Sequence, residues 1–145
     1  MAKVQPQYAL QSYGIYKGWQ DNGKTLPKLS HTTLNIPAEV ETEFGLILLV
    51  QKAKGAELNW TIQHPNIADQ KGRVMPPFAG EIKVRNNHWL FYLGDTIWLP
   101  EHDKVGDWRM LIEFDGKVLV EKTFNVTLNC LEAEAESRFW KRRGF

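Results

Sequence analysis

The fold is decided by the stretch from residue 106 to residue 126, which reads Gly106-Asp-Trp-Arg-Met-Leu-Ile-Glu-Phe-Asp-Gly-Lys-Val-Leu-Val-Glu-Lys-Thr-Phe-Asn-Val126. Its first half alternates, and one face is formed by Trp108, Met110, Ile112 and Phe114. Asp115-Gly116 is a pair preferred in two-residue type I′ turns. The returning half continues the apolar face with Val118, Val120, Phe124 and Val126. The stretch predicts an antiparallel hairpin, and Lys122 on its apolar face predicts a bulge or a lysine stem lying along the core.

The rest of the chain repeats this pattern in short segments separated by turn-forming residues. The segments that we predict as strands are 8–17, 30–36, 44–51, 57–64, 81–85 and 89–93, and Asp95 leads from the last of them into residues 96–99. Segment 44–51 is apolar on both faces, which predicts a central strand whose outer side is also covered. In all, about seven or eight short strands predict an all-β protein, an immunoglobulin-like antiparallel β-sandwich. A closed barrel is the alternative, but the unequal strand lengths favour two packed sheets.

Composition limits the organisation of the chain and its partners. The 145 residues suit one domain, which we predict as a sandwich over residues 1–130 followed by a helical tail over residues 131–145. The formal charge of +1 gives no field that would attract nucleic acid. A single cysteine, Cys130, excludes an intrachain disulfide. There is no signal-peptide pattern and no apolar run of roughly 20 residues, so we expect no transmembrane segment and a cytoplasmic location.

The segment before the hairpin is similar to the corner between the fifth and sixth strands of immunoglobulin-like domains. Leu99, Asp103, Gly106 and Trp108 occupy its positions, with Trp in place of the usual Tyr. The missing hydroxyl leaves Trp108 only a packing role in this comparison, and Trp60 takes the place of the core Trp on the third strand. The order of Tyr13-Gly-Ile-Tyr16, Gly106-Asp-Trp108 and Asp115-Gly-Lys117 resembles a bacterial immunoglobulin-like family of unknown function, over about residues 8 to 126. That resemblance implies no catalytic residues.

The sequence offers little that resembles an active site. It contains no phosphate-binding loop, no nucleophile elbow and no metal-binding pair of Cys or His at a characteristic spacing. Glu101-His102-Asp103 is the most suggestive cluster, but adjacent loop residues seldom converge on one point. His64, at a strand end, is expected to bond to the backbone. We therefore predict a protein that is not an enzyme and needs no cofactor or metal.

The tail changes abruptly to helix-forming residues. Acidic residues come first and Arg138, Lys141, Arg142 and Arg143 come last, an order that complements a helix dipole. Leu131, Ala135 and Phe139 would share one face of the helix and leave Trp140 on another. Three alternatives remain open: packing on its own domain, packing on a second subunit or partner protein, and contact with nucleic acid or anionic lipid. Nucleic acid is the least favoured partner, because four positive charges in one patch are few.

Our leading functional hypothesis is a binding module that holds a protein partner or a second copy of itself. Its candidate surface is the outer side of segment 44–51 together with the tail, namely Ile47, Leu49, Arg138, Phe139, Trp140, Lys141, Arg142 and Arg143. A small ligand or carbohydrate bound by exposed Trp19, Trp89 and Trp98 is the first alternative. A metal-dependent enzyme centred on Glu101-His102-Asp103 is the second alternative.

Overall fold

The computed structural model describes residues 5–17 and 26–128, which form two packed β-sheets. The strands in chain order are β1 (Gln7–Lys17), β2 (Lys28–His31), β3 (Asn35–Pro37), β4 (Glu43–Gln51), β5 (Glu57–Gln63), β6 (Phe78–Lys83), β7 (His88–Thr96), β8 (Gly106–Phe114) and β9 (Lys117–Thr127). One sheet has the order β2-β1-β4-β7, and the other has the order β3-β9-β8-β5-β6. A 3₁₀ turn, His102–Lys104, lies between β7 and β8. The predicted all-β, immunoglobulin-like sandwich is confirmed.

The described residues form nine strands, where the sequence predicted about seven or eight. Predicted segment 30–36 divides into β2, which pairs antiparallel with β1, and β3, which pairs parallel with β9. The chain thus changes sheets inside one β-branched run. Segment 96–99 is not a separate strand, since β7 extends to Thr96 and ends there. The predicted C-terminal helix lies outside the described residues.

The core lies between the inner faces of β4 and the hairpin β8–β9. The fully buried side chains on β4 are Phe44, Leu46, Leu48 and Val50. Opposite them, the Phe44 ring meets the edge of Trp108 at a centroid distance of 5.3 Å and that of Phe124 at 5.5 Å. Burying each large apolar side chain contributes about 1.5–3 kcal/mol, so this layer dominates the stability of the sandwich.

The hairpin forms as predicted. Asp115 and Gly116 have φ values of 51° and 79°, as a type I′ turn requires at both central positions. The β8–β9 register shifts between Ile112 and Glu113, which is the predicted irregularity. The Lys122 ammonium lies 4.4 Å from the centroid of the Tyr13 ring, so the lysine stem does lie along the apolar layer.

The corner before β8 is built around two buried side chains. Trp108 Nε1 donates a hydrogen bond to the carbonyl oxygen of Lys104 at 2.8 Å, so the prediction of a purely packing role was wrong. The indole N–H takes over the backbone contact that a tyrosine hydroxyl makes in related corners. Lys104 is fully buried, and its ammonium donates to the Pro100 carbonyl at 2.8 Å and to the Asp103 carboxylate. Leu99 is 69% exposed and contributes little to the core.

Candidate interaction edge

The free edge of β7 distinguishes it from the other strands at the sheet margins. Sheet edges attract added strands unless they are short or carry Lys, other charges or Pro. The edge strands β2 and β3 have four and three residues, with Lys28 in the first and Pro37 in the second. β6 has six residues and carries Glu81 and Lys83. β7 has nine residues and contains no Lys, Arg, Glu or Pro. Its one acidic residue, Asp95, is the second-last, so residues 88–94 form the least protected edge in the described chain.

The direction of the β7 peptide groups follows from its register with β4. At the two ends of this ladder, Ile97 N–H donates to the Thr42 carbonyl and Lys52 N–H donates to the Asn87 carbonyl, both at 2.9 Å. Hydrogen-bonded and non-bonded pairs alternate in antiparallel sheets, so the odd-numbered residues of β7 bond to β4. The N–H and C=O groups of even-numbered residues, such as Leu90, therefore point away from the sheet.

A cleft of about 290 Å³ runs beside the last six residues of β7. Its large apolar lining residues come from both sheets, with Trp60 and Ile62 on β5 and Phe91 and Leu93 on β7. The remaining lining residues are Glu43, Tyr92, Gly94, Asp95 and Thr96. The cleft therefore lies beside a free strand edge, with Asp95 on the core face of the sheet, opposite Phe44, and Glu43 on the outer face, opposite Thr96.

The two carboxyl groups are held in a poorly solvated environment. Burial raises the pKa of Asp95, although the Thr96 N–H, which donates to its carboxylate at 2.7 Å, and the charges of His64 and Lys104 act in the opposite direction. Burial also raises the pKa of Glu43, opposed by a hydrogen bond from Tyr92. Glu43 Oε2 is shielded from solvent and has no hydrogen-bond partner among the described residues. Such an atom favours a donor that comes from outside the chain.

The Tyr92 ring lies over Gly94, the next residue of β7 on the same face of the sheet. Its hydroxyl proton is shared between the Phe44 carbonyl oxygen, at 3.4 Å, and the Glu43 carboxyl group. A Cβ atom on Gly94 would lie 2.2 Å from the same hydroxyl oxygen, so the tyrosine ring folds back over a position where no side chain fits. Burial is the largest cause of a raised Tyr92 pKa, and the nearby Glu43 carboxyl group acts in the same direction.

The chain as a whole was compared with known proteins. Residues 4–126 match the model of a family described as Domain of unknown function (DUF3859). The chain belongs to this family. A crystal structure of an immunoglobulin-like protein from Pseudomonas aeruginosa matches this DUF3859 domain with a TM-score of 0.70 and 18% identity, over 88% of this chain and 100% of the other. The likeness shows the fold, and the predicted resemblance to a bacterial immunoglobulin-like family of unknown function is confirmed. A search of curated proteins finds no match.

The predicted interaction surface is only partly present on the described DUF3859 domain. Ile47 is 6% exposed, so it offers almost no contact area. Its cross-strand neighbours are Ser12 and Tyr92, and Leu49 beside it is half-buried. The predicted tail residues Arg138 to Arg143 lie outside the described residues.

The aromatic residues proposed for carbohydrate binding have different surroundings. The half-buried rings of Trp89 and Phe91 stack on each other with centroids 5.4 Å apart and planes 13° apart, so the pair is not a side-by-side platform. Trp98 lies with its ring 4.4 Å from the Lys104 ammonium and meets the edge of Trp108. Trp19 lies outside the described residues. Carbohydrate binding stays a prediction.

The Glu101-His102-Asp103 loop does not converge on a point. Asp103 is engaged by the buried Lys104, while His102 is exposed. Among the described residues, no group of three or more His, Cys, Asp or Glu side chains is arranged to hold a metal ion.

His64 contacts the carbonyl oxygens of Pro65 at 2.6 Å and Pro76 at 2.8 Å, which confirms its predicted backbone partners. Over the same part of the chain, no helix has the length and apolar character needed to cross a membrane.

The raised pKa values of Glu43 and Asp95 predict how the stability of the domain depends on pH. A carboxyl group whose pKa is raised by folding stabilises the folded state below its ordinary pKa, and this contribution is lost as the pH rises through the folded-state pKa. The ordinary values are 4.5 for Glu43 and 3.8 for Asp95. We expect the stability of the natural protein to fall from about pH 4 toward neutrality more steeply than that of a Glu43→Gln/Asp95→Asn variant. Urea unfolding across this range measures both slopes, and equal slopes would contradict the expectation.

Proposed function

We propose that this DUF3859 domain is a protein-binding module that accepts a segment of a partner protein as an added strand on β7. The observation that carries the proposal is the nine-residue free edge, whose residues 88–94 include no Lys, Arg, Asp, Glu or Pro. Strand addition gains affinity from main-chain hydrogen bonds, which the outward peptide groups of β7 offer at every second residue. Pockets beside such an edge select the side chains of the added strand. The cleft next to β7 suits that role.

The proposal also accounts for an otherwise unfavourable feature of the domain. A long apolar edge invites uncontrolled pairing between copies, and the other three edges carry features that prevent it. β7 lacks these protective features along most of its length, which suits an edge that binds a specific partner. The sequence analysis proposed the outer side of β4 as the interaction surface. That side offers less contact area, because Ile47 is buried there.

A proline at position 90 tests strand addition. Leu90 N–H points away from β4, so Leu90→Pro removes an outward donor and leaves the β4 ladder intact. We expect the tightest peptide from a random nine-residue phage library to bind about tenfold more weakly or worse to this variant. Fluorescence anisotropy measures the affinity. Glu81→Pro on β6 is the matched control. Val84 N–H donates to the Ala56 carbonyl, so even-numbered residues of β6 bond to β5 and the Glu81 N–H also points away from its sheet.

Three results would contradict the proposal. The library yields no binder, Leu90→Pro leaves the affinity unchanged, or Glu81→Pro weakens binding to the same extent. Circular dichroism of both proline variants verifies that they fold. Sedimentation equilibrium tests the alternative that a second copy of this chain binds to β7. A dimer that Leu90→Pro dissociates would place a second copy on β7 and overturn the assignment to a different protein.

A further inference from the structure

We propose that the partner segment added to β7 runs antiparallel to it and carries acidic residues directly after its strand, where they contact a basic tip of the domain. The basic tip consists of four exposed side chains at one end of the sandwich: Lys52, Lys54, Lys83 and Arg85. This inference rests on the proposed strand addition and specifies the partner by its charge and its direction.

The basic tip is built on two loops that hydrogen bonds hold together. Residues 52–56 connect β4 to β5, and residues 84–87 connect β6 to β7. Lys52 N–H donates to the Asn87 carbonyl at 2.9 Å, and Lys54 N–H donates to the Asn87 side-chain oxygen at 3.1 Å. The four cations therefore share one surface, although they come from separate parts of the sequence.

In the described part of the chain, no ion pair neutralises the basic tip. Residues 52–56 and 82–88 contain no Asp or Glu, and the ion pairs of the described residues join other side chains. Glu57 is the cross-strand neighbour of Lys83, but its carboxyl group interacts with that of Glu81, whose pKa it raises through a hydrogen bond and through its charge. The positive charge of the tip is therefore available to a partner.

The basic tip lies at the margin where β7 accepts a strand. β6 and β7 are the last strands of their sheets, and the loop between them passes directly from one edge to the other. Lys83 ends β6 and Arg85 lies in this loop. Together with Lys54 they line a depression of about 470 Å³, in which Glu81 is the one acidic residue. A strand on β7 that continues past His88 therefore reaches the basic tip.

The two ends of β7 differ in charge, which favours one direction of the added strand. The basic tip lies beyond His88, whereas the turn at the other end carries the exposed Glu39 and Glu41, and Glu41 N–H donates to the Ile97 carbonyl at 2.9 Å. Complementary charges fix the register of a bound chain, and like charges disfavour the reverse arrangement. An antiparallel strand, the slightly more stable kind, runs from Thr96 toward His88. The residues that follow it therefore meet the basic tip.

The test extends the tightest nine-residue library peptide by a flank of three residues. The flank is Glu-Glu-Glu, Lys-Lys-Lys or Gly-Ser-Gly, placed either before or after the nine residues, and both peptide ends are blocked. Fluorescence anisotropy measures binding to the full-length natural protein. We expect the acidic flank after the strand to bind about fivefold or more tightly than the neutral flank in about 20 mM salt, and this gain to shrink in about 300 mM salt.

A quadruple variant of the basic tip should abolish this gain and keep the affinity for the neutral flank. It carries Lys52→Gln, Lys54→Gln, Lys83→Gln and Arg85→Gln. The matched control removes the same charge, three lysines and one arginine, from exposed positions elsewhere and should keep the gain. It carries Lys17→Gln, Lys28→Gln, Lys71→Gln and Arg73→Gln.

A second measurement reads the direction of the segment without relying on affinity. A nitroxide is attached to the last residue of the acidic flank that follows the strand. It should broaden the amide NMR signals of Gly55 and Asn86, which lie in the loops of the basic tip, and leave the signal of Glu41 sharp.

Equal binding of the acidic and neutral flanks, a gain that survives the quadruple variant, or a gain that the matched control also abolishes would overturn the inference. A preference for the acidic flank before the strand, or broadening at Glu41, would contradict the antiparallel direction and overturn it as well. Single-stranded DNA of about 20 nucleotides that displaces the acidic peptide and binds more tightly would assign the basic tip to nucleic acid instead.

Leu90→Pro separates these failures from a failure of strand addition. If Leu90→Pro weakens binding of the neutral-flank peptide and no acidic preference is found, strand addition stands and only the acidic flank is overturned. If the acidic preference is found but Leu90→Pro leaves the binding of every peptide unchanged, strand addition is overturned. A library without a binder overturns both.

Discussion

Replacing Trp108 with alanine is expected to lower the free energy of unfolding by about 3–5 kcal/mol. The side chain is fully buried, and its ring meets Phe44 at 5.3 Å and Trp98 at 6.2 Å. Its removal leaves a cavity between the sheets and takes the donor away from the Lys104 carbonyl. Because domains of this kind are stable by only about 5–15 kcal/mol, the loss is a large fraction of the total.

Trp108→Phe separates packing from hydrogen bonding at the same position. The phenyl ring keeps most of the buried surface but cannot donate to Lys104 O, and leaving that buried acceptor unpaired costs about 1–3 kcal/mol. Urea unfolding followed by far-UV circular dichroism gives both values without relying on tryptophan fluorescence. Trp89→Phe is the control, since Trp89 is half-buried. If Trp108→Phe costs no more than Trp89→Phe, the indole hydrogen bond does not stabilise the corner.

The corner illustrates what the sequence could and could not predict. The spacing of Leu99, Asp103, Gly106 and Trp108 located it correctly, because short-range spacing determines a connection between consecutive strands. Which groups bond inside the corner depends on three-dimensional approach. The Trp108 N–H reaches Lys104, and Ile97 is buried while Leu99 is exposed. Neither the hydrogen bond nor this difference in burial follows from residue type alone.

The candidate site was missed for a different physical reason. Alternation along a strand predicts which side chains share a face, but it does not predict which strands are neighbours. The sequence predicted a strand over 89–93, yet its edge position results from long-range pairing with β4 and from the sheet order. The predicted strand ended at Leu93, although β7 continues through Asp95 to Thr96. An acidic residue inside an apolar strand is the signal that could have pointed to the cleft.

Replacing Gly45 with alanine is expected to cost about 3 kcal/mol or more, because neighbouring backbone occupies the space that a Cβ atom needs. Gly45 lies between Gly14 on β1 and Gly94 on β7. A Cβ atom there would lie 2.2 Å from the Leu93 carbonyl oxygen and 2.5 Å from Gly94 Cα. A flexible side chain could turn aside from such a collision, but a strand backbone cannot. β4 and β7 must therefore separate.

The separation should be visible on β7 before the whole sandwich unfolds, since β7 is an edge strand held on one side only. We expect Gly45→Ala to increase amide hydrogen exchange at Phe91 and Leu93, whose peptide groups face β4, and to weaken peptide binding at the same edge. Gly55→Ala is the control. A Cβ atom there meets nothing within 4 Å, so only its φ of +92° opposes the change, at about 1–2 kcal/mol. Equal losses in the two variants would show that the close approach of β4 and β7 at Gly45 is not needed to hold the edge in place.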